Sequence, residues 1–129
     1  MKRRKTQEES LQIAVSNYIK MQYPNVIFTS ESSGIRVSMG TAVKMKKQRS
    51  NHKLPDMIIL EPRGRFHGLC LELKKDRNEV FTKKGEYREN EHIQKQLETL
   101  TQLRELGYFS IFGCGFDETK EIIDFYMNL

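Results

Sequence analysis

The chain has 129 residues, enough for one domain with a buried core, and 37% of them are hydrophobic while 30% are charged. Its 22 Lys and Arg residues outnumber its 17 Asp and Glu residues, and the formal net charge of +5 favours a polyanionic partner such as nucleic acid without establishing one. No apolar segment approaches the roughly 18 residues that span a bilayer, and no signal-peptide pattern is present, so we expect a cytoplasmic protein that contacts no membrane.

The first predicted element is a helix that runs from Thr6 to about Gln22. Thr6 followed three residues later by Glu9 fits a capping box, and an apolar face recurs at helical spacing. The four residues 26–29 then predict a strand. The lysines and arginines at residues 2–5 predict that residues 1–5 form a flexible basic tail.

Periodicity fades in the segment that follows the first strand. This segment is longer than a passive connector, and it contains a cluster of basic residues. We expect a short strand at residues 34–37 and a mobile basic loop at residues 38–53.

The remaining sequence predicts strands at residues 56–60, 68–74 and 108–112 and two helices. The first two strands form a hairpin across a turn at residues 61–64. One helix runs from about Asn90 to Leu106 with Gly107 in the C′ position, and the last begins near an N-cap at Asp117.

This order predicts an α/β fold, with a mixed β-sheet flanked by helices in one domain over residues 1–129. Cys70 and Cys114 each lie in an apolar run, which favours two buried thiols over a disulfide.

The residues that carry chemistry lie on the two hairpin strands: Asp56 on the first, and Glu72 with Lys74 on the second. Because side chains alternate along a strand, Glu72 and Lys74 share one face while the intervening leucines take the other. Hairpin pairing could bring the Asp56 carboxylate close to that of Glu72. Two carboxylates with open water positions suit Mg²⁺, and Lys74 could orient an attacking water or neutralise developing charge. The pattern therefore predicts a metal-dependent site that hydrolyses a phosphodiester.

Other interpretations of these residues stay open at this point. Asp56 could simply begin a strand, and Glu72 with Lys74 could be a charged pair on a solvated face. The chain could also be a non-catalytic basic nucleic-acid-binding module of the same fold, although its carboxylates would repel a phosphate. A third alternative is a partner-binding α/β domain whose charge only aids solubility.

Several ordered motifs carry a resemblance over nearly the whole chain. They are EESLQ at residues 8–12, LPDMII at 54–59, GLCLELK at 68–74, HIQKQ at 92–96 with Leu100, Leu103 and Gly107, and GFDE at 115–118. Together they resemble the VRR-NUC family of the PD-(D/E)xK nuclease superfamily, and most closely its small stand-alone members in phages and bacteria. Leu54 departs from the pattern, since family members often carry glycine there.

The resemblance implies a restriction-endonuclease-like core, dependence on Mg²⁺ or Mn²⁺, and DNA as the substrate. For stand-alone members it also implies homodimers that act on branched DNA such as four-way (Holliday) junctions, in the cytoplasm of a bacterial cell or phage-infected host. It makes Asp56 and Glu72 metal ligands and Lys74 the catalytic lysine. It also adds Gln96, on the penultimate helix, to the catalytic set.

An acidic residue on the first helix belongs to the same pattern. Glu8 fits this catalytic and metal-ligating position better than Glu9 by its spacing, but the choice between them stays open. The helix dipole favours acids in a first turn, which explains both residues without a function. His92 lies one turn before Gln96 and could approach the site or belong to the exposed surface.

The expected nucleic-acid contacts lie in the basic segment. They are Lys44, Lys46, Lys47, Arg49 and Lys53. The alternative is a solvated surface, because runs of like charge usually contact only water.

Overall fold

A computed structural model describes residues 7–31 and 37–129 of the chain. Within them, the helices are α1 (Gln7–Gln22), α2 (Met39–Lys47), α3 (Glu91–Glu105) and α4 (Phe116–Met127). The strands are β1 (Phe28–Ser30), β2 (Met57–Ile59), β3 (Leu69–Lys74) and β4 (Phe109–Cys114). The predicted tail, the Thr6 cap and residues 34–36 of the predicted short strand lie outside the described residues.

The strands form a mixed sheet in the order β1-β2-β3-β4. β2 pairs antiparallel with both β1 and β3, and its register places Met57 opposite Leu71. β3 pairs parallel with β4 through a connection that contains α3. The predicted hairpin and mixed sheet are therefore confirmed.

Helices cover β3 on both faces, and all six of its residues are buried. Leu69, Leu71 and Leu73 pack in one cluster with residues of α1 and α4. On the opposite face, Phe112 of β4 packs with Ile93 and other residues of α3. Glu72 pairs with Phe112 in the sheet register.

Glu72 and Lys74 are only 6% and 4% exposed. The interpretation of these two residues as a charged pair on a solvated face is therefore wrong. The physical reason is that the crossover between β3 and β4 lays α3 over the polar face of β3.

The expectation of a loop throughout residues 38–53 is wrong, because α2 occupies Met39–Lys47. The Ser38 hydroxyl caps this helix by accepting a hydrogen bond from the Thr41 N–H at 3.2 Å. None of its residues is buried, so α2 packs no side chain into the core.

The predicted N-cap of the last helix is also wrong. The cap is Gly115, at φ +83°, and Asp117 lies inside the first turn. The Gly115 carbonyl accepts hydrogen bonds from both the N–H and the hydroxyl of Thr119, which starts the helix two residues earlier than predicted.

Other expectations are confirmed. The Asn90 side chain caps α3 by accepting from the Ile93 N–H at 2.9 Å, and Gly107 follows the helix at φ +98°. Cys70 and Cys114 are free and buried. Among the described residues, no helix is long and apolar enough to cross a membrane.

Candidate functional site

The antiparallel pairing of β2 with β3 brings Asp56 and Glu72 together. Asp56 immediately precedes β2, so it lies beside the end of β3. The backbone N–H of Leu73 donates to Oδ2 of Asp56 at 2.7 Å, which fixes the orientation of the carboxylate. The Asp56 and Glu72 side chains also share a hydrogen bond. Hairpin geometry thus places the two carboxyl groups in contact, as the sequence predicted.

The environment of Glu72 strongly disfavours its charged form. Burial is the largest cause, followed by the negative charge of Asp56 and the hydrogen bond with it, and these raise the pKa of Glu72 to about 9. The positive charges of Lys74 and Lys53 act in the opposite direction. Burial and the neighbouring Asp56 therefore favour the protonated form of Glu72.

Gln96 reaches the carboxylate pair from α3. Its Nε2 donates to Oε1 of Glu72 at 2.9 Å. Among the described residues, its Oε1 is buried and accepts no hydrogen bond. This side chain therefore leaves an oxygen lone pair unsatisfied within the site.

Lys74 adjoins the pair from β3, two residues after Glu72. Its Nζ lies 3.3 Å from Nε2 of His92. Of the two possibilities for His92, the structure supports an approach to the site. Loss of water around the imidazole is the largest cause that lowers the His92 pKa, followed by the charges of Lys74 and Lys53.

The two candidate acids of α1 lie in different surroundings. Glu8 is exposed, and its charge acts on His92 by raising the pKa of the imidazole. Glu9 instead lines a separate groove with Gln12 and Ser16. Glu8 thus acts electrostatically on a residue of the site, and the choice between the two acids stays open.

A groove of about 410 Å³ opens beside the carboxylate pair. Its lining combines polar and cationic groups from α3 and from the segment before β2. The lining residues are Asn51, His52, Lys53, Glu72, His92, Lys95, Gln96, Glu98 and Thr99.

The basic residues predicted to contact nucleic acid separate into three groups. Lys53 lines the groove and acts electrostatically on Glu72. Arg49 forms an ion pair with Glu31 at 2.8 Å, and the Glu31 N–H donates to the Asp56 carbonyl at 2.7 Å. The remaining three, Lys44, Lys46 and Lys47, are exposed on α2.

Gln12 is a contributor to which the sequence pattern assigned no role. Its Nε2 donates to the backbone carbonyls of Glu31 and Asp56, at 3.3 and 3.4 Å. It therefore ties α1 to the backbone of Asp56. The available signal was its position one helical turn after Glu8.

The donor set suits a hard cation that keeps several waters. No group of three or more His, Cys, Asp or Glu side chains that could hold a metal occurs within residues 7–31 and 37–129. Mg²⁺, however, is typically bound through one or two carboxylates and completes its shell with water. Asp56, Glu72 and the unsatisfied Oε1 of Gln96 form an all-oxygen set, so these residues fit Mg²⁺ or Mn²⁺.

No family model and no curated protein matches the sequence. Among solved structures, a VRR_NUC domain protein is similar to the chain at 25% identity and a TM-score of 0.68. The match covers 98% of this chain and 93% of that one. The mixed sheet and its helices thus form a restriction-endonuclease-like α/β fold. The chain therefore shares its fold, over nearly its whole length, with a VRR_NUC domain protein.

Proposed function

We propose that this chain is a divalent-metal-dependent endonuclease that hydrolyses phosphodiester bonds in DNA. One observation carries the proposal: Asp56, Glu72 and Lys74 converge at the end of β3. The likeness to a VRR_NUC domain protein and the net charge of +5 support DNA as the substrate.

Asp56 and Glu72 would hold Mg²⁺ or Mn²⁺. Leu73 already orients Asp56, and Gln96 orients Glu72, so the carboxylates need little rearrangement. The bound cation would supply stabilisation of negative charge on the phosphate and a lowered pKa for an attacking water. Glu8 is proposed as a further acidic contributor from α1.

Lys74 supplies a positive charge in a site from which water is largely excluded. The Lys74 residue is only 4% exposed, so water screens its charge weakly. It could donate a hydrogen bond to the attacking water or to a phosphate oxygen as negative charge develops there.

The groove beside the pair is the proposed path for the DNA strand. Lys53 and Lys95 offer cations to the phosphates, and His52 offers a ring on which a base could stack. The exposed lysines of α2 are proposed as further phosphate contacts. We also propose preference for branched DNA and action as a homodimer, which rest on the family resemblance.

The test is incubation of the purified protein with labelled linear duplex, single strand and four-way junction, in Mg²⁺, Mn²⁺ or EDTA. The proposal expects cleavage in either metal and none in EDTA. Lys74→Met keeps the side-chain volume but removes the charge, and it should lower the rate at least ~10²-fold. Sedimentation with and without junction DNA measures the oligomeric state.

A non-catalytic DNA-binding module is the second candidate, because the chain is basic and α2 presents exposed lysines. Salt-dependent binding that leaves every DNA intact in both metals would favour it. The nuclease proposal would then be wrong.

A further inference from the structure

Nε2 of His92, in the first turn of α3, lies close to Nζ of Lys74. The two nitrogens lie 3.3 Å apart, within hydrogen-bonding distance. A lysine ammonium carries three N–H donors and no acceptor. Nε2 of His92 must therefore act as the acceptor, which requires the neutral imidazole with its proton on Nδ1.

We propose that His92 is a positioning residue, which holds the Lys74 ammonium in the orientation that the reaction requires. This inference rests on the proposed nuclease function and assigns a role within the same site. Lysine has four rotatable bonds, so an ammonium group without a fixed acceptor would sample several directions. A small misplacement of such a group can cost up to about 10²-fold in rate.

Helix α3 places His92 so that it contacts Lys74 and leaves the groove open. Asn90 caps α3 and fixes its first turn over the end of β3. Gln96 extends from the next turn of the same helix to Glu72. One helix thus orients the lysine and one carboxylate together, while the outer side of His92 stays exposed to the groove.

The charges around His92 keep it an acceptor at neutral pH. Lys74 of β3 and Lys53 of the preceding segment disfavour its protonation, while Glu8 of α1 and Asp56 favour it. Desolvation is the largest cause, and the net result is a lowered pKa. Protonation would remove the acceptor and place a second positive charge beside Lys74, so kcat should fall as the pH decreases through the His92 pKa.

Two substitutions of His92 separate the loss of its hydrogen-bond acceptor from the loss of its side-chain volume. His92→Gln can place an amide oxygen near the former Nε2, whereas His92→Ala supplies no acceptor. In single-turnover and steady-state cleavage assays at saturating Mg²⁺, we expect His92→Ala to lower kcat on the order of tenfold with little change in KM. His92→Gln should recover most of that loss. Its kcat should not fall at low pH, because the amide does not titrate.

A matched control is His67→Gln at the opposite end of β3, where the ring packs against Tyr108. It should keep the wild-type kcat and pH profile. An unchanged kcat in His92→Ala, or a His92→Gln variant as impaired as His92→Ala, would overturn the inference.

Imidazole ¹⁵N NMR of the wild-type protein tests the contact without relying on activity. The His92 signals are assigned by their loss in His92→Gln. The inference expects an unprotonated Nε2 at neutral pH and a rise in the His92 pKa in Lys74→Met. A protonated Nε2, or a His92 pKa that is unchanged in Lys74→Met, would contradict it. If the wild type cuts no DNA, the nuclease proposal fails, and the positioning role fails with it even where NMR detects the contact.

Discussion

Nε2 of Gln96 donates a hydrogen bond to Oε1 of Glu72 over 2.9 Å and so joins α3 to the central strand. The Oε1 of the same amide is buried and accepts no hydrogen bond from the described residues. One side chain therefore both orients a proposed metal ligand and offers an oxygen of its own. Several consequences of this arrangement can be measured.

Replacement of Gln96 should weaken the site without unfolding the protein. Gln96→Ala removes the donor to Glu72, and loss of such a supporting hydrogen bond typically costs about 10–100-fold in metal affinity or activity. The cleavage rate as a function of Mn²⁺ concentration measures both effects. Gln102→Ala, six residues further along α3, is the control. Equal rates in the two variants would show that the Gln96 contact is not functional.

Ionisation of Glu72 should lower the free energy of unfolding of the metal-free protein as the pH rises. Its folded-state pKa of about 9 lies above the ordinary value of 4.5, so the native state binds more protons than the unfolded state between these values. The free energy of unfolding must therefore fall as the pH rises through this window. Glu72→Gln imitates the protonated carboxyl and should remove that fall.

A difference of one pKa unit corresponds to about 1.4 kcal/mol. We therefore expect Glu72→Gln to raise the free energy of unfolding at pH 8 by more than about 1 kcal/mol in EDTA, although it removes a proposed metal ligand. Urea denaturation at pH 5 and pH 8 measures the change. A variant that is less stable than the wild type at pH 8 would contradict the assigned electrostatics.

Metal binding should release a proton from the carboxylate pair. Below the Glu72 pKa, a cation must displace the proton on Glu72, so the apparent affinity should rise by about tenfold per pH unit between pH 6 and 8. Calorimetric titration with Mn²⁺ in two buffers of different ionisation enthalpy counts the released protons. An affinity independent of pH, with no proton released, would mean that the cation does not bind between these groups.

A second polar cluster should support the fold but not the chemistry. The hydroxyls of Tyr18 and Tyr23 donate to Oδ1 of Asp124 at 2.5 and 2.8 Å, which joins α1 to α4. A hydrogen bond to a charged group contributes about 1.5–3 kcal/mol, so Tyr18→Phe should lower the free energy of unfolding by about that amount. Urea denaturation measures it, and the cleavage rate should stay unchanged. Tyr87→Phe, at a more exposed tyrosine, should cost less than about 0.5 kcal/mol.

The elements that the sequence predicted well are those whose burial leaves a pattern. The leucines that alternate with Glu72 and Lys74 indicated a strand with one apolar face, and the short turn indicated its antiparallel partner. These two signals suffice to place Asp56 beside Glu72. None of the nine residues of helix α2 is buried, so no core contact marks this helix.

Other parts of the site depend on tertiary packing that local sequence does not encode. Nothing near Glu72 in the chain shows that α3 will bury it, and hence that its pKa will rise. His92 was equally compatible with a surface position, since its contact with Lys74 joins residues 18 positions apart. The roles of Glu8, Gln96 and the basic residues stay predictions.

Cation binding and DNA cleavage in Asp56→Asn and Glu72→Gln test the central claim most directly. Both substitutions keep the side-chain shape, and Asp117→Asn in the first turn of α4 is a matched control. Mn²⁺ binding by electron paramagnetic resonance and cleavage of labelled DNA are measured on the same samples. The account predicts that the wild type and Asp117→Asn bind Mn²⁺ and cut, whereas both site variants lose binding and cleavage together. Cleavage that survives both substitutions would contradict it.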